Sequence, residues 1–417
     1  IPESMSQAGT AHSHPPMPLA AARERIVAGL SPIEETETVA LADAHRRVLA
    51  DDVVARVNVP SATNSSMDGY ALCVSDDSSS ERFEQVGQSL AGHPFDGRLE
   101  PGQCVRITTG AVVPAGADRI VIQENVTTHQ SSVTVENGVP AAGANIRPAG
   151  EDIAEGETVL HAGRYLRPAD IAVLASVGQA NVAVMRRLRV AFFSTGDELR
   201  PIDGPLASGE IYDSNRYGLA AMIEELGLES VNLGAIGDDP AALAAAFDRA
   251  RDCDALITTG GVSVGDADHV VEVLKTRGEI DFWKVAIKPG KPLAVGRLGQ
   301  THFFGLPGNP VSTAVTFIQL VRPALVRLAG GRPAAALRWS LPTAQALDKR
   351  PGREHYLRAR IQMDDHGTQV STLAHQGSGV MQSMSLANAF VVLAAETESV
   401  GAGEPVTVEP FAQPIWD

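Results

Sequence analysis

Between residues 189 and 330, strand-like runs alternate with amphipathic helical segments, and this alternation constrains the chain more than any other feature. The runs RVAFFST, VNLGAIG, ALITTGG and FWKVAI stand at βαβ spacing, which predicts a doubly wound α/β domain over 189–334. Helix starts are readable as well. Asp213, Ser214 or Asn215 can cap NRYGLAAMIEEL, Asp239 with Pro240 opens AALAAAFDRA, and Pro310 opens VSTAVTFIQLVRPALVRL, where Pro323 is expected to bend or end the helix.

The flanks read differently. Residues 1–17 are polar and rich in Pro and His, as in a disordered tail. A short helix is predicted over 19–30, stopped by Ser31-Pro32. The stretch ETETVALADAHRRVLADDVVA alternates and then turns helical in spacing. Short β-prone runs such as QCVRITTG and RIVIQENV, parted by Gly, Pro and Asn, predict a β-rich domain over 58–145. That domain interrupts an elongated N-terminal domain made of 18–57 and 146–188, with Pro168 opening a helix in the second half. Residues 335–417 return to strand-like pieces and predict a small β-barrel.

Composition narrows the function. A formal net charge of −16 argues against binding nucleic acid or an anionic membrane, since both require a basic surface. No uninterrupted apolar run is expected to cross a bilayer, and the expected location is cytoplasmic. Cys73, Cys104 and Cys253 lie far apart and make neither a CxxC pair nor a zinc set.

In an open α/β sheet, ligands sit at the carboxyl ends of the strands. The loops there read STGDEL, IGDDP, TTGGVSVGDADH, AIKPGKP and LPGNP. Gly260-Gly261-Val262-Ser263 lets backbone approach an oxyanion, although a tight turn explains two glycines equally well, and neither a Walker A nor a GxGxxG pattern is present. Glu198, Asp238, Asp266 and Asp268 would crowd carboxylates at one sheet edge, which a hard cation such as magnesium relieves; Asp239 reads better as a helix cap. Lys288 and Lys291, stiffened by neighbouring prolines, suit an oxyanion or simply solvent. Pro307-Gly308-Asn309-Pro310 offers either a plain helix entry or free N–H groups for an anion. Asp68, Thr109 and Asp152 read alone as turn residues.

Taken together, NSSMDGYA, TTGAVVPAGAD, GED, STGDEL, IYDSN, GDDP, TTGGVSVGDADH, AIKPGKP, LPGNP and HQGSG resemble, in order, the molybdopterin molybdenumtransferases, the MoeA family that includes the gephyrin E domain. The resemblance implies an enzyme that inserts molybdate into adenylylated molybdopterin with magnesium and releases AMP. It implies a homodimer whose sites are shared, with Asp68, Thr109 and Asp152 of one chain facing the α/β domain of the other. Glu198, Asp238 and Asp268 would then serve magnesium and the pterin nucleotide. Lys288, Lys291, Pro307, Pro310 and Ser378 would frame the molybdate and dithiolene side. Further partners on this reading are the molybdopterin adenylyltransferase and acceptor molybdoenzymes. Two rivals remain: the sister activity, adenylylation of molybdopterin from ATP, and a peptide-binding scaffold.

Overall fold

The computed structural model describes residues 15–74, 81–237, 239–261, 269–365, 367–412 and 415. At its centre, six strands form one sheet in the order Glu229–Ile236, Arg189–Thr195, Ala255–Thr259, Thr301–Leu306, Pro292–Leu298, Glu279–Lys284. All run in one direction except Pro292–Leu298, which is antiparallel to both its neighbours. Arg189–Thr195 and Ala255–Thr259 are almost wholly buried because helices cover both faces. One face packs Leu219, Ile223, Val315 and Leu325; the other packs Leu243, Phe247 and Leu274.

The helix starts follow the sequence. Asp213 accepts a hydrogen bond from the Arg216 N–H, and Asp239 accepts one from the Ala242 N–H at 2.8 Å. Asp213 also accepts from the Ser194 hydroxyl at 2.8 Å, and the Thr259 hydroxyl lies 3.0 Å from Ser194 Oγ. This buried chain ties the carboxyl ends of two strands to the start of a helix, so the loops that follow begin from a fixed frame.

Pro323 does not end its helix. Pro310–Thr316 is α-helical, Phe317–Val321 forms a π-helical turn, and Arg322–Leu328 resumes the α-helix. Proline lacks the N–H that would bond the Gln319 carbonyl four residues back. Arg23, on the leading helix Leu19–Ala28, donates to that carbonyl at 2.9 Å instead. The combined stretch Pro310–Leu328 has 19 residues and a mean hydropathy of 1.3, long and apolar enough on composition to cross a bilayer, although Arg322 and Arg327 interrupt it and it is no uninterrupted apolar run. It is apolar all round because 78% of it lies inside the protein, between the sheet and the leading helix.

The N-terminal region is a long ribbon. Thr36–Ala40 pairs with Asn181–Met185, Val53–Val54 with Thr158–Leu160, and Asn64–Ser65 with Ile146–Arg147, all antiparallel. Bridges at Val48 with Tyr165 and Val59 with Ile153 fill the intervals. The helix-like spacing after residue 40 yields only the 3-10 turn Leu41–Asp43, because the backbone there pairs with the returning chain. At the far end the insertion folds as a six-stranded sheet, Arg119–Ile122, Gly69–Leu72, Gln103–Ile107, Arg82–Ser89, Ser132–Val135, Val126–His129, with its own two cores.

The C-terminal strands run Glu354–Asp364, Ala389–Leu393, Pro405–Pro410, Trp339–Pro342, and a bridge from Thr343 to Val370 on Gly367–Thr372 closes them into a small barrel around Val391, Val408 and Ala359. One edge of Glu354–Asp364 is shared. Ile287–Lys288 pairs with residues 354–355 and Gly367–Thr372 with 359–364, leaving residues 356–358 between them.

Candidate active-site cavity

A cavity of about 590 Å³ opens over that gap, where the loops leaving the parallel strands meet the barrel. Its size suits a small-molecule site. Gly260 and Gly261 line it from one strand end, Pro307, Gly308 and Asn309 from another, and Lys288 and Lys291 from the loop between. Ser378 joins from the HQGSG loop. Eight residues singled out by sequence thus meet in one place.

Local chemistry fixes these loops. Gly260 has φ of +88°, and a Cβ there would lie 2.6 Å from the Thr195 carbonyl oxygen, so only glycine fits between the strands. Its N–H donates to the Leu306 carbonyl at 3.1 Å, which leaves any anion contact to the backbone beyond it. The Thr313 hydroxyl donates to the Pro307 carbonyl at 2.6 Å, and Asn215 Nδ2 donates to the Gly308 carbonyl at 2.7 Å. Ser378 offers its carbonyl to the Val311 N–H at 3.0 Å, tying the barrel loop to the first turn of the helix.

The cavity is strongly positive. Lys288, Lys291, Arg353 and Arg358 line it, and among the described residues no Asp or Glu does. Arg358 is 1% exposed, and its guanidinium donates to Ser383 Oγ at 3.0 Å and the Gly377 carbonyl at 3.1 Å, all neutral acceptors. Burial lowers its pKa, and no carboxylate offsets the charge. Gln376 bonds both sides of the Arg358 backbone, through Oε1 at 2.9 Å and Nε2 at 2.8 Å, and so fills the open strand edge. Arg353, His355, Arg358, Gln376 and Ser312 were not foreseen from sequence. The available signal was Arg358 inside a strand whose alternate positions are apolar.

Other candidates stand elsewhere in the chain. Asp68 accepts from the Thr109 N–H at 2.7 Å and from the Thr109 hydroxyl at 2.9 Å, on the surface of the insertion. The Thr109 N–H, then its hydroxyl, hold the Asp68 carboxyl below the ordinary carboxylate range. Asp152 is exposed in the ribbon, its N–H bonded to the Val59 carbonyl at 3.0 Å. Glu198 is exposed in the loop after Arg189–Thr195 and does not line the cavity; Pro310 opens the helix without lining it. Asp238, Ser263, Asp266 and Asp268 lie outside the described residues. Gly237 is described, and a Cβ on it would lie 3.3 Å from Asp197 Oδ1, so the STGDEL and IGDDP loops touch.

Residues 17–178 match the MoeA N-terminal region (domain I and II), 191–327 a probable molybdopterin binding domain, and 340–411 the MoeA C-terminal region (domain IV). The molybdopterin molybdenumtransferase of Haemophilus influenzae is 40% identical over 94% of this chain and 97% of its own length. Molybdopterin molybdenumtransferase 2 of Mycobacterium tuberculosis is 36% identical over 92% of this chain and 97% of its own. The crystal structure of a molybdopterin biosynthesis MoeA protein from Pyrococcus horikoshii superposes with a TM-score of 0.82 at 26% identity, covering 95% of this chain and 100% of that one. With all three regions present in order along nearly the whole chain, the chain belongs to the molybdopterin molybdenumtransferases, transferases of molybdenum cofactor biosynthesis.

Proposed function

We propose that this chain inserts molybdate into adenylylated molybdopterin, with magnesium, and releases AMP. The observation that carries the reading is the cavity itself: four cationic side chains and no described carboxylate, in a protein of net charge −16. Such a pocket selects a small, multiply charged anion.

Lys288 and Lys291 bind the oxyanion as point charges, and Arg353 presents a planar fork to a second oxygen pair. Arg358 holds the Gln376–Ser378 loop against the helix start and adds positive field from below. Arg358 is held by its hydrogen bonds before substrate arrives, and together with the lysines it stabilises negative charge developing on a cleaved phosphoanhydride.

The family implies magnesium. Its fit rests on donor chemistry: a Cβ on Gly237 would lie 3.3 Å from Asp197 Oδ1, and the exposed Glu198 follows in the same loop, so hard carboxylate donors stand at this strand end. Magnesium keeps several waters and completes its shell from substrate phosphate oxygens. Glu198, Asp238 and Asp268 would hold it. When bound, magnesium neutralises phosphate oxygens.

Asp68, Thr109 and Asp152 act, on this reading, in the cavity of a second copy in a homodimer. Asp68 and Thr109 lie on the insertion, whose cores contain no residue of the α/β region, and Asp152 lies on the ribbon.

Incubating the protein with magnesium, molybdate and adenylylated molybdopterin should release AMP. Lys291→Ala should lower kcat/KM for that release by on the order of 10²-fold. Pyrophosphate released from ATP and molybdopterin, with no AMP from the adenylylated substrate, would replace this reading with the sister adenylylation.

A further inference from the structure

His355 is 5% exposed and lines the cavity, yet its ring has no hydrogen-bond partner among the described residues. A ring whose nitrogens face the cavity without a protein partner offers an unused donor and an unused acceptor to whatever binds there. Its surroundings are cationic. Lys288 is its register partner on the neighbouring parallel strand, so the two side chains leave the sheet on the same face. Lys349 and Arg353, on the approach to the strand, supply the other charges that reach it. Lys349 donates to the Ala395 carbonyl at 2.9 Å and feels Glu396, while the strand on the opposite side presents apolar Leu393. Burial first, then Lys288, Lys349 and Arg353, lower the pKa of His355 to about 4, so the ring is neutral near pH 7.

The field changes sign when an anion enters. A tetrahedral dianion held by Lys288 and Arg353 places two negative charges beside the ring, which offsets the neighbouring cations and opposes the effect of burial. We propose that His355 is the proton-accepting member of the oxyanion site: a bound dianion such as molybdate draws one proton from solvent onto the imidazole, whose N–H then donates to an anion oxygen. This rests on the cavity being the oxyanion site of the proposed function. No other bond forms or breaks; dianion, neutral imidazole and one proton become a dianion paired with imidazolium. The device favours dianions over monoanions of the same size, because two negative charges beside the ring favour the imidazolium more than one.

The sign follows from linkage. Protons are taken up wherever the pH lies between the free and bound pKa values of His355, so affinity for molybdate rises as pH falls through that window, by at most about tenfold per unit. The test is calorimetric titration of the full chain with molybdate alone, between pH 8 and 6, in buffers of different ionisation enthalpy. Net proton uptake is expected in the wild type. His355→Gln, which keeps a donor but cannot titrate, should bind with no uptake and a flat pH profile. Equal uptake in both proteins overturns the proposal. So does the absence of molybdate binding at millimolar concentration, in which case AMP release in the assay above decides separately whether the transferase reading stands. Should His355→Gln fail to fold, the wild-type imidazole resonances serve instead: a histidine whose titration midpoint rises on adding molybdate supports the proposal, and no such histidine overturns it.

Discussion

Asp68, proposed above as a site residue, looks ordinary. It is an exposed aspartate whose distinction is two donors from one residue, the N–H and the hydroxyl of Thr109. Their effect is to keep the carboxyl ionised at lower pH than an ordinary aspartate. Thr109→Val removes the hydroxyl and keeps the N–H, so the Asp68 titration midpoint, read from its carboxyl carbon resonance, should rise part of the way to the ordinary value. An unchanged midpoint would mean that the hydroxyl contact is not made in solution. The linkage sign is that of a depressed carboxylate: its stabilisation is present above the unfolded pKa and is lost as pH falls through the lower folded one. Both residues were legible as members of ordered motifs, while their hydrogen bond was not, because 41 positions separate them. Arg353, His355 and Arg358 were illegible for another reason. In a strand at a domain junction, a polar residue facing a neighbouring domain reads the same as one facing water. Gly69, beside Asp68, has a plainer duty than its motif implies: a Cβ there would lie 1.8 Å from the Val121 carbonyl oxygen.

Among the elements, the interrupted helix Pro310–Leu328 has the most consequences. Its π-helical turn presents Gln319, which accepts from Arg23 at 2.7 Å and donates through Nε2 to Glu409 at 2.6 Å. Arg338 reaches the other Glu409 oxygen at 3.4 Å. Glu409 is 1% exposed, so leading helix, central helix and barrel share one buried polar junction. Glu409→Ala leaves Gln319 and Arg338 without their buried partner and should cost about 3 kcal/mol in urea unfolding, with the loss seen first in the barrel. A change below about 1 kcal/mol would place the junction among weak surface pairs. The sequence announced Pro323 and its missing donor, but the substitute donor came from a residue 296 positions away in chain numbering from Gln319. The βαβ strands and caps were legible because periodicity and capping are local. The antiparallel pairing of Glu279–Lys284 with Pro292–Leu298 was not, since short connections and register decide it.

For the whole molecule, the separation between the insertion and the cavity is the central fact. If the site is completed by a second copy, a chain carrying Asp68→Ala and a chain carrying Asp268→Ala should restore activity when mixed. Each heterodimer then holds one intact site, and the expected recovery is about a quarter of wild-type AMP release, from random subunit exchange. No recovery, with exchange shown by differently tagged chains, would return Asp68 to a structural role. Domain order and the split N-terminal region were legible from shifts in pattern, but nothing local in sequence told how far the ribbon carries its cargo. That ribbon, two strands out and back from Thr36–Ala40 to Asn64–Ser65, behaves as a ruler. Its graduations are residue pairs: removing two residues from each strand would shorten the reach by roughly 7 Å and keep every side chain on its face, whereas removing one from each would turn the faces over. If a second copy completes the site, the distance between its two halves changes in steps of two residues, and the length of this arm limits how large a substrate the facing copies can enclose.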